Sequence, residues 1–167
     1  VIRGAYRNDS LVIIRKPDID ETEKFDLNKI KYSSSKDHFK SGLKVCKRFG
    51  FKFSKGFDCE LRSNIPIKAG TSSSSSILVT WIHFLSQIAD NAKKLDRNTI
   101  AELAYQAEVI EFNSPGGMMD QYSTSLGGLI YLESNPKISI EQIDTNLGAF
   151  VLGDSLEQKD TMGILSR

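Results

Sequence analysis

The sequence contains few of the residues that a metal cage or a charged binding surface requires. Among its 167 residues are only two cysteines and two histidines, and Cys46 and Cys59 form no CxxC pair. A zinc site built from cysteine and histidine is therefore excluded by ligand number and spacing. Lysine and arginine total 22 against 21 for aspartate and glutamate, a net charge of +1. Because nucleic acids and anionic membranes attract clustered positive charge, this balance argues against both partners.

Segments that target or anchor a protein are also missing from the sequence. No cationic stretch leads into an apolar run near Val1, so a signal peptide is not indicated. The longest apolar stretch, residues 77–89, is too short to cross a bilayer, and four polar residues interrupt it: Thr80, His83, Ser86 and Gln87. With only two scattered cysteines, we expect a protein of the reducing cytoplasm.

The composition is that of a globular domain, with 40% hydrophobic and 26% charged residues. Strand and helix patterns are interspersed without a repeat, which predicts an α/β (α+β two-layer) fold. Strands are predicted at residues 10–16, 57–61, 129–133, 138–143 and 149–152, and residues 17–37 are predicted as a polar surface connection. Helices are predicted at residues 38–49, 77–90 and 99–112, with the start of another at 159–167, and a loop at 113–117 leads into residues 118–126. The helix at 99–112 should open with a Thr99-x-x-Glu102 capping box, and His83 should be a core histidine.

A serine-rich loop precedes the most apolar helix. Residues 65–76 read IPIKAGTSSSSS, and the following helix places Ile77, Trp81 and Leu85 on one stripe. The first amides of a helix have no intrahelical partner and lie at the positive end of its dipole, so such a junction can bind a phosphate. The loop lacks the GxxxxGK[ST] pattern of a Walker P-loop. By composition alone, an N-cap with a low-complexity linker is the alternative.

Two acidic residues flank a glycine-containing bend further along the chain. Glu108 lies near the end of the helix predicted at 99–112, and Asp120 follows the segment NSPGG at 113–117. Acidic groups on either side of a tight loop can divide the chemistry, one holding a metal and the other accepting a proton. Taken singly, Glu108 also fits a solvated carboxylate and Asp120 a helix N-cap. Their pairing with an upstream phosphate loop favours phosphoryl transfer.

The two motifs together resemble the GHMP kinase family. The stretch PIKAGTSSSS is similar to the family's phosphate loop, usually written PxxxGL[SG]SSA. The stretch AELAYQAEVIEFNSPGGMMDQ is similar to the next family block, which runs from a magnesium-binding Glu to a catalytic Asp. Its ending GGMMDQ is closer to the galactokinase form than to the mevalonate kinase form. The resemblance covers residues 65–128 and implies the family's N-terminal domain, which is related to ribosomal S5 domain 2.

The resemblance implies a role for each matching residue. The phosphates of ATP would be bound by Gly70, Thr71, Ser72, Ser73, Ser74 and Ser75. Ser74 and Glu108 would hold Mg²⁺. Asp120 would be the catalytic base for a substrate hydroxyl, and Gly117 would contact the substrate beside it. The implied cofactors are ATP and Mg²⁺, and the implied partner is a small molecule, a sugar in the galactokinase branch.

The chain departs from the family pattern in three loop residues and in two whole motifs. Ala69 replaces the usual Gly, Thr71 the usual Leu and Ser75 the usual Ala, all small enough to keep the loop's shape. The family's first motif, PGRxNxxGEH, and its third, glycine-rich motif have no counterpart in the sequence. We therefore expect residues 1–148 to be an N-terminal domain without its first motif and 149–167 to begin the C-terminal domain. These 167 residues alone should be inactive.

Three functions are compatible with the sequence. The first is an ATP-dependent kinase that phosphorylates a sugar hydroxyl, a phosphotransferase with an alcohol group as acceptor. The second is a non-catalytic sensor of the same family that binds sugar and nucleotide. The third is a GHMP kinase for another substrate, of the mevalonate or heptose and sugar-phosphate type. The sequence leaves the oligomeric state open.

Overall fold

The computed structural model describes residues 1–34, 36–66 and 70–153, which contain strands on both sides of a helical region. The strands are β1 (Ile2–Tyr6), β2 (Leu11–Lys16), β3 (Glu21–Asp26), β4 (Phe57–Leu61), β5 (Leu129–Glu133) and β6 (Ser139–Ile143). The helices are α1 (His38–Arg48), α2 (Ser73–Ile88), α3 (Arg97–Glu108) and α4 (Met119–Leu126). Of the helices in these ranges, none combines the length and apolar character that crossing a bilayer requires.

Four strands form a mixed sheet in the order β1-β4-β2-β3. Strand β2 runs parallel to β4, whereas the other neighbouring pairs are antiparallel. The register pairs Val12 with Phe57 and Ile14 with Cys59, so the apolar side chains of adjacent strands share one face. The opposite face carries charged groups, among them an ion pair between Arg15 and Asp58. A sheet with one apolar face needs a covering layer on that face only.

Helices α1, α2 and α3 supply that layer and form the core with the sheet. Trp81 of α2 is fully buried, with its ring centroid 5.1 Å from Phe39, 5.8 Å from Phe57 and 5.6 Å from Phe84. Helix α1 approaches closely because residue 42 is glycine; a Cβ on Gly42 would lie 2.6 Å from Trp81 Cδ1. The predicted two-layer α/β fold is confirmed, as are β2, β4, α1 and the buried position of Trp81.

The segment at 17–37, predicted as a polar surface connection, contains a strand instead. Strand β3 pairs with the whole length of β2, and it buries Phe25, with Leu27 buried just beyond its end. The other side chains of β3 are polar and exposed or half-buried at the edge of the sheet, so its hydrophobicity pattern does not reveal a strand. The mostly exposed β1 is likewise absent from the sequence prediction.

Two helix starts and one histidine also differ from the prediction. Helix α3 is capped by Asp96, whose carboxylate accepts hydrogen bonds from the backbone N–H (2.8 Å) and hydroxyl (2.7 Å) of Thr99. Thr99 therefore lies inside the first turn, and the predicted Thr99 capping box is wrong. Helix α2 begins at Ser73, so most of the serines predicted as loop belong to its first turn. His83 is exposed rather than in the core.

The last described part of the chain is a hairpin followed by residues without regular secondary structure. Strands β5 and β6 form a separate antiparallel pair. Residues 149–152 were predicted to form a strand but have no strand conformation, and Phe150 and Val151 are 80% and 97% exposed. The helix predicted at 159–167 lies outside the described residues, as does most of the predicted second domain at 149–167.

Candidate active site

Three helix ends meet at Glu108, the last residue of α3. Its carboxylate oxygen Oε2 accepts hydrogen bonds from Ser75 Oγ at 2.8 Å and from Gln121 Nε2 at 2.6 Å. Ser75 lies in the first turn of α2 and Gln121 in the first turn of α4, and both side chains are buried. The structure therefore brings the serine-rich segment and the acidic block together. Ser75, Glu108 and Gln121 are referred to below as the Glu108 cluster.

The position of Glu108 is electrostatically unusual. A carboxylate at the C-terminal end of a helix is disfavoured by the helix dipole. The two hydrogen bonds offset this cost, as do the positive ends of α2 and α4, which lie at the same place. Both hydrogen bonds go to Oε2, and no described residue donates to Oε1. A half-buried carboxylate with one oxygen available is suited to binding a cation.

The first turn of α2 presents amides that have no hydrogen-bond partner among the described residues. Ser72, the N-cap residue, has a left-handed backbone (φ 54°), and its side chain makes no capping hydrogen bond to a described residue. The first bond of the helix runs from Ser76 N–H to the Ser72 carbonyl at 2.9 Å. The amides of residues 72–75 therefore have no partner within the helix and lie at its positive end. These amides belong to four of the six residues predicted to bind phosphate.

The remaining predicted phosphate-binding residues lie just before the helix. Gly70 has a left-handed backbone (φ +76°), and the Thr71 hydroxyl donates to the Pro66 carbonyl at 3.1 Å. Residues 67–69, including Ala69, lie outside the described residues. Ser74, the predicted metal ligand, lies in the same turn of α2 as Ser75, but the hydroxyl that contacts Glu108 is that of Ser75. The metal-binding role of Ser74 stays a prediction.

The left-handed backbone of Ser72 yields a stability prediction. Replacing Ser72 with glycine should raise the free energy of unfolding by about 1 kcal/mol, because a Cβ is disfavoured in this conformation. The matched control Ser73→Gly, inside the first turn of α2, should lower it by about 0.5–1 kcal/mol. Urea unfolding followed by the fluorescence of the single tryptophan measures both changes. Equal destabilisation by the two substitutions would contradict the strain assigned to Ser72.

Asp120 lies beside the Glu108 cluster but faces solvent. It is the second residue of α4, whose N-cap is Met118, so Asp120 does not cap the helix. Its side chain is exposed, whereas the next residue, Gln121, is buried. Asp120 takes part in none of the ion pairs that the described residues form. A Cβ on the nearby Gly117 would meet no atom of the described residues within 4 Å, so their packing does not require glycine there.

The sequence prediction assigned no role to His38 or Gln121. Within the described residues, His38 Nδ1 and Gln121 Oε1 are buried atoms without a hydrogen-bond partner. Burial lowers the pKa of His38, against the opposing attraction of Glu108. Gln121 could have been found from the sequence, because it directly follows Asp120 in the GGMMDQ ending that resembles the family motif. No comparable signal exists for His38, the first residue of α1.

A cleft of about 470 Å³ opens beside the first turns of α2. Helix α2 contributes Ser76, Ile77 and Thr80, and residues 60–65 form the opposite side. Arg3 adds a positive charge to the lining. Because Ser76 directly follows Ser75, the cleft adjoins the turn of α2 in which the amides of residues 72–75 have no partner within the helix. The sequence prediction included none of these lining residues in the site.

Residues 37–128, more than half of the chain, match the family model described as "GHMP kinases N terminal domain". The chain belongs to the GHMP kinase family. The match begins at the N-cap of α1 and ends just after α4, so it includes every residue of the Glu108 cluster. The family assignment made from the two motifs is confirmed.

Several GHMP kinases share sequence with this chain. It is 32% identical over 127 residues to a galactokinase of Clostridium perfringens (strain SM101 / Type A), which covers 74% of this chain and 32% of that protein. It is 30% identical over 154 residues to the galactokinase of Pasteurella multocida (strain Pm70), covering 90% and 40%. The chain thus spans between a third and two fifths of these curated relatives.

Solved structures of GHMP kinases share the fold. A crystal structure of mevalonate kinase superimposes with a TM-score of 0.71 at 21% identity, covering 86% of this chain and 46% of that one. The Lactococcus lactis galactokinase complexed with galactose gives 0.66 at 19% identity, covering 92% and 44%. At such identities the likeness establishes the GHMP kinase N-terminal fold alone.

Proposed function

We propose that the protein transfers the γ-phosphate of ATP to a hydroxyl group of a sugar. The observation that carries this proposal is the Glu108 cluster, in which one carboxylate oxygen is left available at the meeting point of three helix ends. The amides of residues 72–75, which have no partner within the helix, lie at the end of α2 from which Ser75 contacts Glu108. Phosphoryl transfer depends on positioning the phosphates and neutralising their charge. The amides can position the phosphates, and the Glu108 carboxylate can hold a cation that neutralises their charge.

The residues present fit Mg²⁺. This ion prefers oxygen ligands and is commonly held by one or two carboxylates together with substrate phosphates. Glu108 offers a carboxylate, and Ser74 offers a hydroxyl from the first turn of α2. No group of three His, Cys, Asp or Glu side chains suited to a metal occurs in the described ranges, so phosphate oxygens and water would complete the ligand set. When bound, the ion neutralises charge on the phosphates.

In the proposed reaction, the residues of the loop and α2 hold ATP while Asp120 prepares the acceptor. The backbone amides of residues 70–75 and the side-chain hydroxyls of residues 71–74 would bind the phosphate oxygens. Asp120 would accept the proton of the substrate hydroxyl while the oxygen of that hydroxyl forms a bond to the γ-phosphorus. The bond from that phosphorus to the bridging oxygen of ADP breaks, and ADP leaves with the electron pair.

A sugar is the proposed acceptor because the similar curated proteins are galactokinases. The fold is also shared by a D-glycero-D-manno-heptose 1-phosphate kinase, with a TM-score of 0.71 at 18% identity, and by mevalonate kinase. Other alcohol acceptors are therefore the second candidates. The presence of both Glu108 and Asp120 favours a kinase over a binding-only sensor. The two buried free cysteines agree with a reducing, cytoplasmic location.

ADP release by the full-length protein tests the proposal. ATP is supplied with galactose, mevalonate or heptose 1-phosphate, and binding of each compound is measured in parallel. We expect turnover with a sugar. Turnover with mevalonate alone would overturn the choice of acceptor. Binding of sugar and ATP without ADP release would support the sensor instead. The 167 residues alone are expected to be inactive.

Gly117 tests the substrate side of the site. Gly117→Ala should raise the KM for the sugar about tenfold or more, because the added methyl group would occupy space proposed for the substrate. The free energy of unfolding should change by less than about 0.5 kcal/mol, since the Cβ meets no atom of the described residues within 4 Å and Gly117 has no left-handed φ. Gly153→Ala, equally open, is the control. An unchanged KM would remove Gly117 from the substrate site.

A further inference from the structure

We propose that Ser75 and Gln121 are positioning residues that orient the Glu108 carboxylate for metal binding. The inference rests on the proposed function, because it assigns a task to the carboxylate that would hold Mg²⁺. It goes further by naming two side chains outside the proposed ligand set. One of them, Ser75, stands where the family pattern has alanine, so its hydrogen bond is a feature of this chain.

The geometry restrains the carboxylate from two directions. Ser75 Oγ approaches from α2 at 2.8 Å and Gln121 Nε2 from α4 at 2.6 Å, and both contact Oε2. The two donors also contact each other, with Gln121 Nε2 3.3 Å from Ser75 Oγ. A carboxylate anchored at one oxygen by donors from two helices cannot rotate freely, so its second oxygen keeps a fixed direction. Outer hydrogen bonds of this kind commonly set the affinity of a metal ligand.

The amide of Gln121 provides independent support. A carboxylate only accepts hydrogen bonds, so the amide must present Nε2 to Glu108. Its oxygen Oε1 is then left buried, and no described residue donates to it. The side chain is only 2% exposed. An unpaired buried oxygen is destabilising, so packing alone does not explain a glutamine here.

Two other polar side chains form hydrogen bonds only within their own helices. Ser86, buried on α2, donates to the carbonyl of His83 within its own helix at 2.7 Å. Gln106 on α3 donates to Glu102 one turn earlier at 2.9 Å. Neither bond connects helix ends. Ser86 and Gln106 therefore serve as matched controls for loss of a serine hydroxyl and of a glutamine amide.

The test compares Gln121→Met and Ser75→Ala with Gln106→Met and Ser86→Ala in the full-length protein. ATP binding is measured by calorimetry at increasing Mg²⁺ concentration, and Mn²⁺ binding is followed by electron paramagnetic resonance. We expect Gln121→Met to raise the half-saturating Mg²⁺ concentration about tenfold or more and Ser75→Ala to raise it several-fold. For Gln121→Met, ATP binding measured without a divalent ion should stay at the wild-type level. Both control variants should stay within about twofold of wild type.

The outcomes separate this inference from the proposed function. If the folded Gln121→Met and Ser75→Ala proteins show the Mg²⁺ dependence of wild type, the inference is wrong and the proposed function stands. If the wild-type protein binds ATP without any Mg²⁺ dependence, the metal role of Glu108 fails first, and the inference fails with it. Far-UV circular dichroism reports folding. Should Gln121→Met not fold, Ser75→Ala decides the question, because alanine is the family's usual residue there.

Discussion

Replacing Asp120 with asparagine in the full-length protein is expected to lower kcat by roughly 10²–10⁴-fold, the range that a positioned general base contributes. Asparagine has nearly the same shape but cannot take the proton from the substrate hydroxyl. Asp120 is exposed at the start of α4 and makes no ion pair with a described residue, so the substitution breaks no ion pair of the described fold. ATP binding should therefore be retained while turnover is lost.

Steady-state ADP release and calorimetric ATP binding measure the two effects of Asp120→Asn separately. Asp144→Asn, which changes an exposed aspartate beyond β6, is the matched control and should leave kcat unchanged. Retention of wild-type kcat by Asp120→Asn would remove this residue from the proposed chemistry. Equal losses of ATP binding and turnover would instead mark Asp120 as a binding residue.

The second large effect concerns the core beneath the site. Trp81→Ala should lower the free energy of unfolding by about 3–5 kcal/mol, since it removes a fully buried aromatic side chain and leaves a cavity. The substitution also removes the hydrogen bond from Trp81 Nε1 to the Phe39 carbonyl, at 2.9 Å. Small domains are stable by only about 5–15 kcal/mol, so much of the total would be lost. Because α2 carries both Trp81 and the proposed phosphate-binding turn, ATP binding should weaken with it.

Far-UV circular dichroism during urea unfolding measures this change, since the variant lacks the only tryptophan. Tyr131→Ala, which removes an aromatic side chain that is 58% exposed on β5, is the control and should cost about 1 kcal/mol or less. Similar losses for the two variants would show that the contacts between α1, α2 and the sheet do not support the fold as described.

The sequence predicted elements with regular apolar periodicity and missed those whose burial depends on a neighbour. Helix α1 follows from the spacing of Phe39, Leu43 and Cys46, all of which are buried. Strand β3 does not, because only its pairing with β2 and the burial of Phe25 make it a strand. At residues 149–152 the sequence predicts a strand that the structure does not contain. Apolar residues are present there, but no described strand pairs with them.

The sequence by itself determined the family, the fold class and the residue types of the candidate site. Two motifs in the right order were sufficient, because they are read within single stretches of chain. The tertiary structure decided which side chains meet, and it brought Gln121 and Ser75 to Glu108. Successive helical residues point about 100° apart, so Ser74 and Ser75 face different directions. The start of α2 at Ser73 and its packing against α3 and α4 determine which serine reaches Glu108, and no local pattern contains that information.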